Sequence, residues 1–207
     1  MRPRGITLVV LLVAGSCATT SKVVSLGPPN PPPSAKQYVD QLKRWSRHGT
    51  LRSDFDATLI ADATFHSPEF HAAYVAKYLD VYQVPESSRS QVAATIPWAD
   101  GSYEFHLETQ AHTWEVNELK PPKSMWRITL VDDRNREVQS SEVKLENTRT
   151  EFLQTFYPYT TNFSRPWRIL FPRNLGDGTP LVTPETKTLT MRLAGPNGAI
   201  DLVWHLR

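Results

Sequence analysis

Cysteine occurs once in the 207 residues, at Cys17. A single thiol excludes any disulfide within the chain, so the fold must be held by its core. Long apolar runs are missing too. The run from Ile6 to Ala14 holds nine residues, whereas a membrane-spanning helix needs roughly 20. A surplus of one charge is also absent: 23 Lys and Arg stand against 21 Asp and Glu. Nucleic-acid binding needs a basic face, so this balance argues against nucleic acid as a partner. No G-x-S-x-G elbow, P-loop or G-x-G-x-x-G fingerprint occurs, which removes the best-marked routes to hydrolase, nucleotide or dinucleotide chemistry.

What is present begins at the N-terminus. Arg2 and Arg4 precede the apolar run, and Gly15-Ser16-Cys17 follow it. A charged start, a short apolar core and small residues form a signal-peptide pattern. With the cysteine at its end, the segment resembles the signal peptide and lipobox of a bacterial lipoprotein, over about the first 18 residues. The resemblance implies diacylglycerol on the Cys17 sulfur, cleavage between Ser16 and Cys17, and acylation of the new amino terminus. Two or three acyl chains suffice for stable anchoring, each methylene contributing about 0.8 kcal/mol. Lipoproteins with Asp after the cysteine tend to stay in the inner membrane; Ala18 stands there, which implies an outer-membrane anchor facing the periplasm. Loss of residues 1–16 removes Arg2 and Arg4 and no acid, leaving 21 basic against 21 acidic residues. The implied partners are the membrane, through the lipid, and an envelope protein complex.

Residues 17–34 carry Pro28, Pro29, Pro31, Pro32 and Pro33. Proline fixes φ and removes donors, so this stretch is expected to be an extended tether, reaching roughly 50 Å at about 3.1 Å per residue. Residues 35–207 are long enough for one domain with its own core. Tyr38, Leu42 and Trp45 share a helix face, giving a helix over 35–48 that Gly49 ends. Ser67-Pro68-Glu69 is a helix start, followed by the apolar face of Phe70, Ala73, Tyr74, Tyr78 and Val81. A short helix is expected from Ser87 to Ala94, so that 67–95 is a helical portion. Between the first two helices, Leu51 to Phe65 alternates like a strand, although Leu51, Phe55, Leu59 and Ala63 also fit helical spacing.

From residue 102 the pattern is β. Tyr103, Phe105 and Leu107 alternate with Glu104, His106 and Glu108. Asp132-Asp133-Arg134-Asn135 separates two runs, Trp126–Val131 and Glu137–Leu145, as a hairpin. Trp167–Phe171 is a further run. Gly195-Pro196-Asn197-Gly198 joins Thr188–Leu193 to Ala199–Leu206. Strands over 51–66 and 102–207 give a mainly β (α+β) domain: an immunoglobulin-like antiparallel β-sandwich of about seven strands with an N-terminal helix and a helical insertion.

Several clusters bear on chemistry. Glu104, His106, Glu108 and His112 share one face of a strand and are suitable ligand types for zinc. Neighbours on one face lie roughly 6.5–7 Å apart, so a metal would need a further ligand from another strand. The preferred interpretation is the solvated face of a half-buried sheet, with no metal or cofactor. His66, Glu69 and His71 fail the HExxH pattern, because the histidines are five apart and Pro68 interrupts. Ser141-x-x-Lys144 has the spacing of the penicillin-recognising serine motif, but it falls in a strand-like run and the S-D-N and K-T-G companions are missing. Asp54, Asp56 and Asp62 lack a calcium-loop pattern. Phe152, Phe156, Tyr157, Tyr159, Phe163 and Trp167 crowd one connection. Exposed, Phe156, Tyr157, Tyr159 and Trp167 would form a partner surface; burial is the expectation for so many aromatics. The leading expectation is a non-enzymatic, lipid-anchored binding or structural module. The alternatives are a metal-dependent enzyme on the Glu104/His106/Glu108 face and a carrier of an apolar ligand.

Overall fold

A computed structural model describes residues 23–53, 56–99 and 101–206. Among them are ten strands and four α-helices. In chain order these are β1 (Val23–Val24), α1 (Tyr38–Trp45), β2 (Ser46–Ser53), β3 (Asp56–Phe65), α2 (Pro68–Val81), α3 (Arg89–Thr95) and β4 (Ser102–Ala111). There follow β5 (Arg127–Asp132), β6 (Glu137–Gln139), β7 (Glu142–Leu145), α4 (Thr150–Phe156), β8 (Arg165–Pro172), β9 (Thr188–Gly195) and β10 (Gly198–Leu206). One sheet has the order β1-β10-β9-β5-β6, the other β2-β3-β4-β8-β7. Every pairing is antiparallel except β1 with β10. No helix among the described residues is long and apolar enough to cross a membrane. Cys17 lies outside the described residues.

Local chemistry accounts for much of this. Ser67 caps α2 by accepting from the Phe70 amide at 3.1 Å, with Pro68 in the first turn. The expected turn after β5 is built on Asp132, whose carboxylate accepts from the Arg134 and Arg136 amides and from Arg136 Nε; Asn135 takes φ +60° there. β9 and β10 meet at the expected tight turn, with Gly195 opposite Gly198. Phe65 stacks on Phe105 at 4.5 Å, and both meet the Trp204 ring from the other sheet. The Trp204 indole donates to the Trp45 carbonyl at 2.8 Å.

The structure corrects several boundaries. The first helix stops at Trp45, and the next residue begins β2. Gly49 does not end a helix. It lies in β2, where an added Cβ would come within 2.5 Å of Ile200 Cγ2. Of the run Leu51–Phe65, the described residues 51–53 and 56–65 are strand, and they belong to two paired antiparallel strands, β2 and β3. The run Glu137–Leu145 is two strands, because the chain changes sheets within it. Ser140 N donates to the Ile128 carbonyl of one sheet, and Ser141 N to the Leu170 carbonyl of the other. These splits and β1 raise the count from about seven to ten. The proline-rich stretch is not a free spacer throughout. Val23 and Val24 pair with His205 and Leu206, Val24 is buried, and Leu26 packs on the core.

Candidate functional site

The site lies on the face of the β2-β3-β4-β8-β7 sheet that points away from the Phe65–Trp204 core. Glu104, His106 and Glu108 alternate with Phe105 and Leu107 along β4, as the sequence suggests, but this face is not solvated. Glu104 is 8% exposed, His106 4% and Glu108 2%. Helices α2 and α4 and the segment after α4 cover it. The Tyr157 ring stacks on the His106 imidazole at 3.8 Å, nearly parallel. Tyr159 bonds Thr64 Oγ1 at 2.6 Å, and Thr160 Oγ1 donates to Glu108 at 2.7 Å.

Between the helices and the sheet is a cavity of about 480 Å³. Its floor is polar: Glu104 and His106 of β4, Arg168 of β8, and Glu146 just past β7. Its walls carry rings: Tyr74 and Tyr78 of α2, Phe152 of α4, and Tyr157. Ile96 and Pro97, at the end of α3, complete a rim with His71, which stacks on Trp98 at 4.7 Å.

The floor charges are joined. His106 Nδ1 lies 2.8 Å from Glu146 and Nε2 lies 3.2 Å from Glu108. Arg168 donates from Nε to Glu104 at 2.6 Å and from Nη1 to Glu142 at 3.2 Å. The second Glu104 oxygen accepts from the Ala99 amide at 3.0 Å. Burial by itself disfavours imidazolium at His106, but the Glu108 and Glu146 hydrogen bonds outweigh it and raise its pKa to about 9. His66, bonded through Nε2 to the Tyr157 hydroxyl at 2.6 Å, has no such ion pair, and burial lowers its pKa to about 4. Burial opposes ionisation of Glu104 and Glu146. The bonds to Arg168 and His106 overcome it and hold both below the usual carboxylate range. Burial raises the Tyr157 phenol well above its ordinary value.

The remaining sequence candidates fall elsewhere. His112 lies one residue past β4, at the far end from Glu104 and exposed. Both His106 nitrogens already face carboxylates, and no group of three or more His, Cys, Asp or Glu among the described residues is placed to hold a metal. Asp62 bonds His48, Ser141 Oγ bonds the Leu170 carbonyl, and Asp54 lies outside the described residues. Phe156, Tyr157 and Trp167 are buried, so they are not an exposed partner surface. Trp167 faces the inner core, with its indole donating to Thr109 Oγ1 at 2.8 Å. Tyr159 is partly buried on the outer face, beside Tyr157 and His106. Phe163 alone of that aromatic group is largely exposed. Sequence reasoning missed Glu146 and Arg168 as floor residues. The available signal was the predicted α2 face with Tyr74 and Tyr78, which needed a sheet to cover.

No family model matches the chain, and no curated protein does. A search of solved structures returns a crystal structure of a protein of unknown function from Burkholderia pseudomallei. It is 11% identical, with a TM-score of 0.38, covering 86% of this chain and 91% of that one.

Proposed function

We propose that this is a lipid-anchored, non-catalytic binding protein of the cell envelope, with its ligand in the cavity between the helices and the β4 face. One observation carries the choice of binding over catalysis: the cavity floor is charged, yet its groups are already paired. A general acid or base works best with a pKa near the working pH. His106, at about 9, and His66, at about 4, are held away from neutrality in opposite directions. A volume of about 480 Å³ suits a small molecule. The two sheets, meeting through Phe65, Phe105 and Trp204, support the finer interpretation as an immunoglobulin-like sandwich.

The anchor rests on the lipobox-like segment ending at Cys17, and Ala18 favours the outer membrane, facing the periplasm. Chain reach sharpens its geometry. Val23 is already part of a sheet, so the link from Cys17 is about six residues, at most roughly 20 Å. The domain would therefore sit close to the bilayer rather than on a 50 Å stalk. Metabolic labelling with palmitate tests the anchor: Cys17→Ser should abolish the label and release the protein from membranes. Thermal denaturation against a panel of small molecules tests the cavity. A ligand should raise the melting temperature of the native protein, and Tyr78→Leu should remove that rise.

A further inference from the structure

The charges around the cavity are unequal in number. Two cations stand on or beside its floor, and each is held by two carboxylates: His106 by Glu146 and Glu108, Arg168 by Glu104 and Glu142. Lys144, opposite Arg168 on the edge strand, is exposed and does not line the cavity. Neutral His66 adds no positive charge. The lining and its direct partners therefore carry a surplus of negative charge.

One of these acceptors has capacity left. Glu146 uses Oε2 for His106, while Oε1 has no hydrogen bond among the described residues, and the side chain lines the cavity. Aromatic rings face the same space. Tyr74 lies 4.7 Å and Tyr78 6.2 Å from the Phe156 ring, which packs them as one wall. Neither hydroxyl has a hydrogen bond among the described residues. Ring faces carry negative quadrupole density and attract cations within about 6 Å. A carboxylate oxygen and several aromatic rings lining one cavity form a receptor for positive charge carried on an apolar body.

We propose that the cavity takes a small organic ammonium ion, with its charge at Glu146 Oε1 and its apolar portion against Tyr74, Tyr78 and Phe152. This rests on the cavity being a ligand site, as proposed above. An anionic ligand would meet the surplus of carboxylates, and a purely apolar one would leave the Glu146 oxygen desolvated without a partner.

Calorimetric titration of the purified full-length protein at pH 7.5 tests this with three probes of one shape: phenethylammonium, 2-phenylethanol and phenylacetate. Phenethylammonium should bind about tenfold or more tightly than the neutral alcohol, and phenylacetate should be weakest. Glu146→Gln should erase the preference for the ammonium probe. Tyr78→Leu, which leaves every floor ion pair in place, should weaken it as well and covers the case in which Glu146→Gln fails to fold. Equal or tighter binding of the alcohol or the acid overturns the ammonium assignment and leaves the cavity as a binding site. Absence of binding by all three overturns the ammonium assignment, and a melting-temperature rise with any member of the small-molecule panel would still keep the cavity as a ligand site.

Discussion

The two faces of β4 are buried in different ways. On the inner face Phe105 and Leu107 disappear into a core of rings and aliphatic chains. On the outer face Glu104, His106 and Glu108 are nearly as inaccessible, but they are surrounded by partners rather than by hydrocarbon. An apolar face gains from leaving water. A polar face loses its hydration and needs every lost hydrogen bond replaced. The inner face therefore makes the domain stable. The outer face is where selectivity can reside, because paired charges recognise some ligands and reject others.

The largest test of that contrast is Trp204→Ala. The side chain is fully buried, touches Phe65 and Phe105, and donates to Trp45. Its loss should cost about 5 kcal/mol, near the upper end for large-to-small core changes, read as a lowered urea midpoint. A loss below about 1 kcal/mol would mean that the two sheets do not share this core.

His106→Ala breaks the other face. It leaves Glu108, which already has Oε2 without a partner, facing an empty space. Removing one member of a buried ion pair costs about 3–5 kcal/mol, so a loss of about 4 is expected. His106→Leu should not restore it, whereas Glu108→Gln in the His106→Ala background should recover part of it. No recovery would show that the floor is not organised by charge pairing.

Much of this organisation is visible in the sequence, and the gaps have physical causes. Ser67-Pro68-Glu69 marks α2 because the capping chemistry is local. Asp132 to Asn135 and Gly195 to Gly198 mark turns for the same reason. The α1–β2 junction is not visible, since Trp45 passes into Ser46 without a breaker and β2 is held by pairing with β3 and by packing against distant Ile200 and Leu202 of β10. The change of sheet at Ser140–Ser141 is set by which carbonyls are free in β5 and β8. The outer face of β4 misleads because alternation reports which residues are polar, not what covers them. Glu146 and Arg168 meet His106 and Glu104 only through strand pairing across 40 and 64 positions.

The pH dependence of stability separates the two histidines. His106 has a folded pKa of about 9 against an ordinary 6.5, so its contribution is complete below about pH 6.5 and is lost as pH rises through about 9. At about 1.4 kcal/mol per unit, the loss is capped at about 3 kcal/mol. His66 works in the other sense. Its folded pKa of about 4 is depressed, so stability falls as pH drops from 6.5 toward 4, and Glu104 and Glu146, lowered from the ordinary 4.5, continue the loss only below that value. Urea midpoints across pH 4–10 should peak near pH 6.5. His106→Gln should flatten the alkaline limb and spare the acid one; the opposite pattern would reverse the assignment of charge to the two rings.

The smallest effect should come from a pair that looks strong in geometry alone. Arg192 and Asp201 lie opposite each other on β9 and β10, with two contacts of 2.7 Å. Their side chains are 44% and 41% exposed, so water and salt compete for both charges. Exposed pairs of this kind contribute about 0.2–1 kcal/mol, and Arg192→Ala should stay within that range and shrink further in 1 M salt. The same kind of ion pair is thus expected to differ several-fold in value between the exposed β9–β10 surface and the covered floor of the cavity. If Arg192→Ala proved as costly as His106→Ala, burial would not be what gives the floor its weight. The distinction between a charged surface and a charged receptor would then have to rest on shape alone.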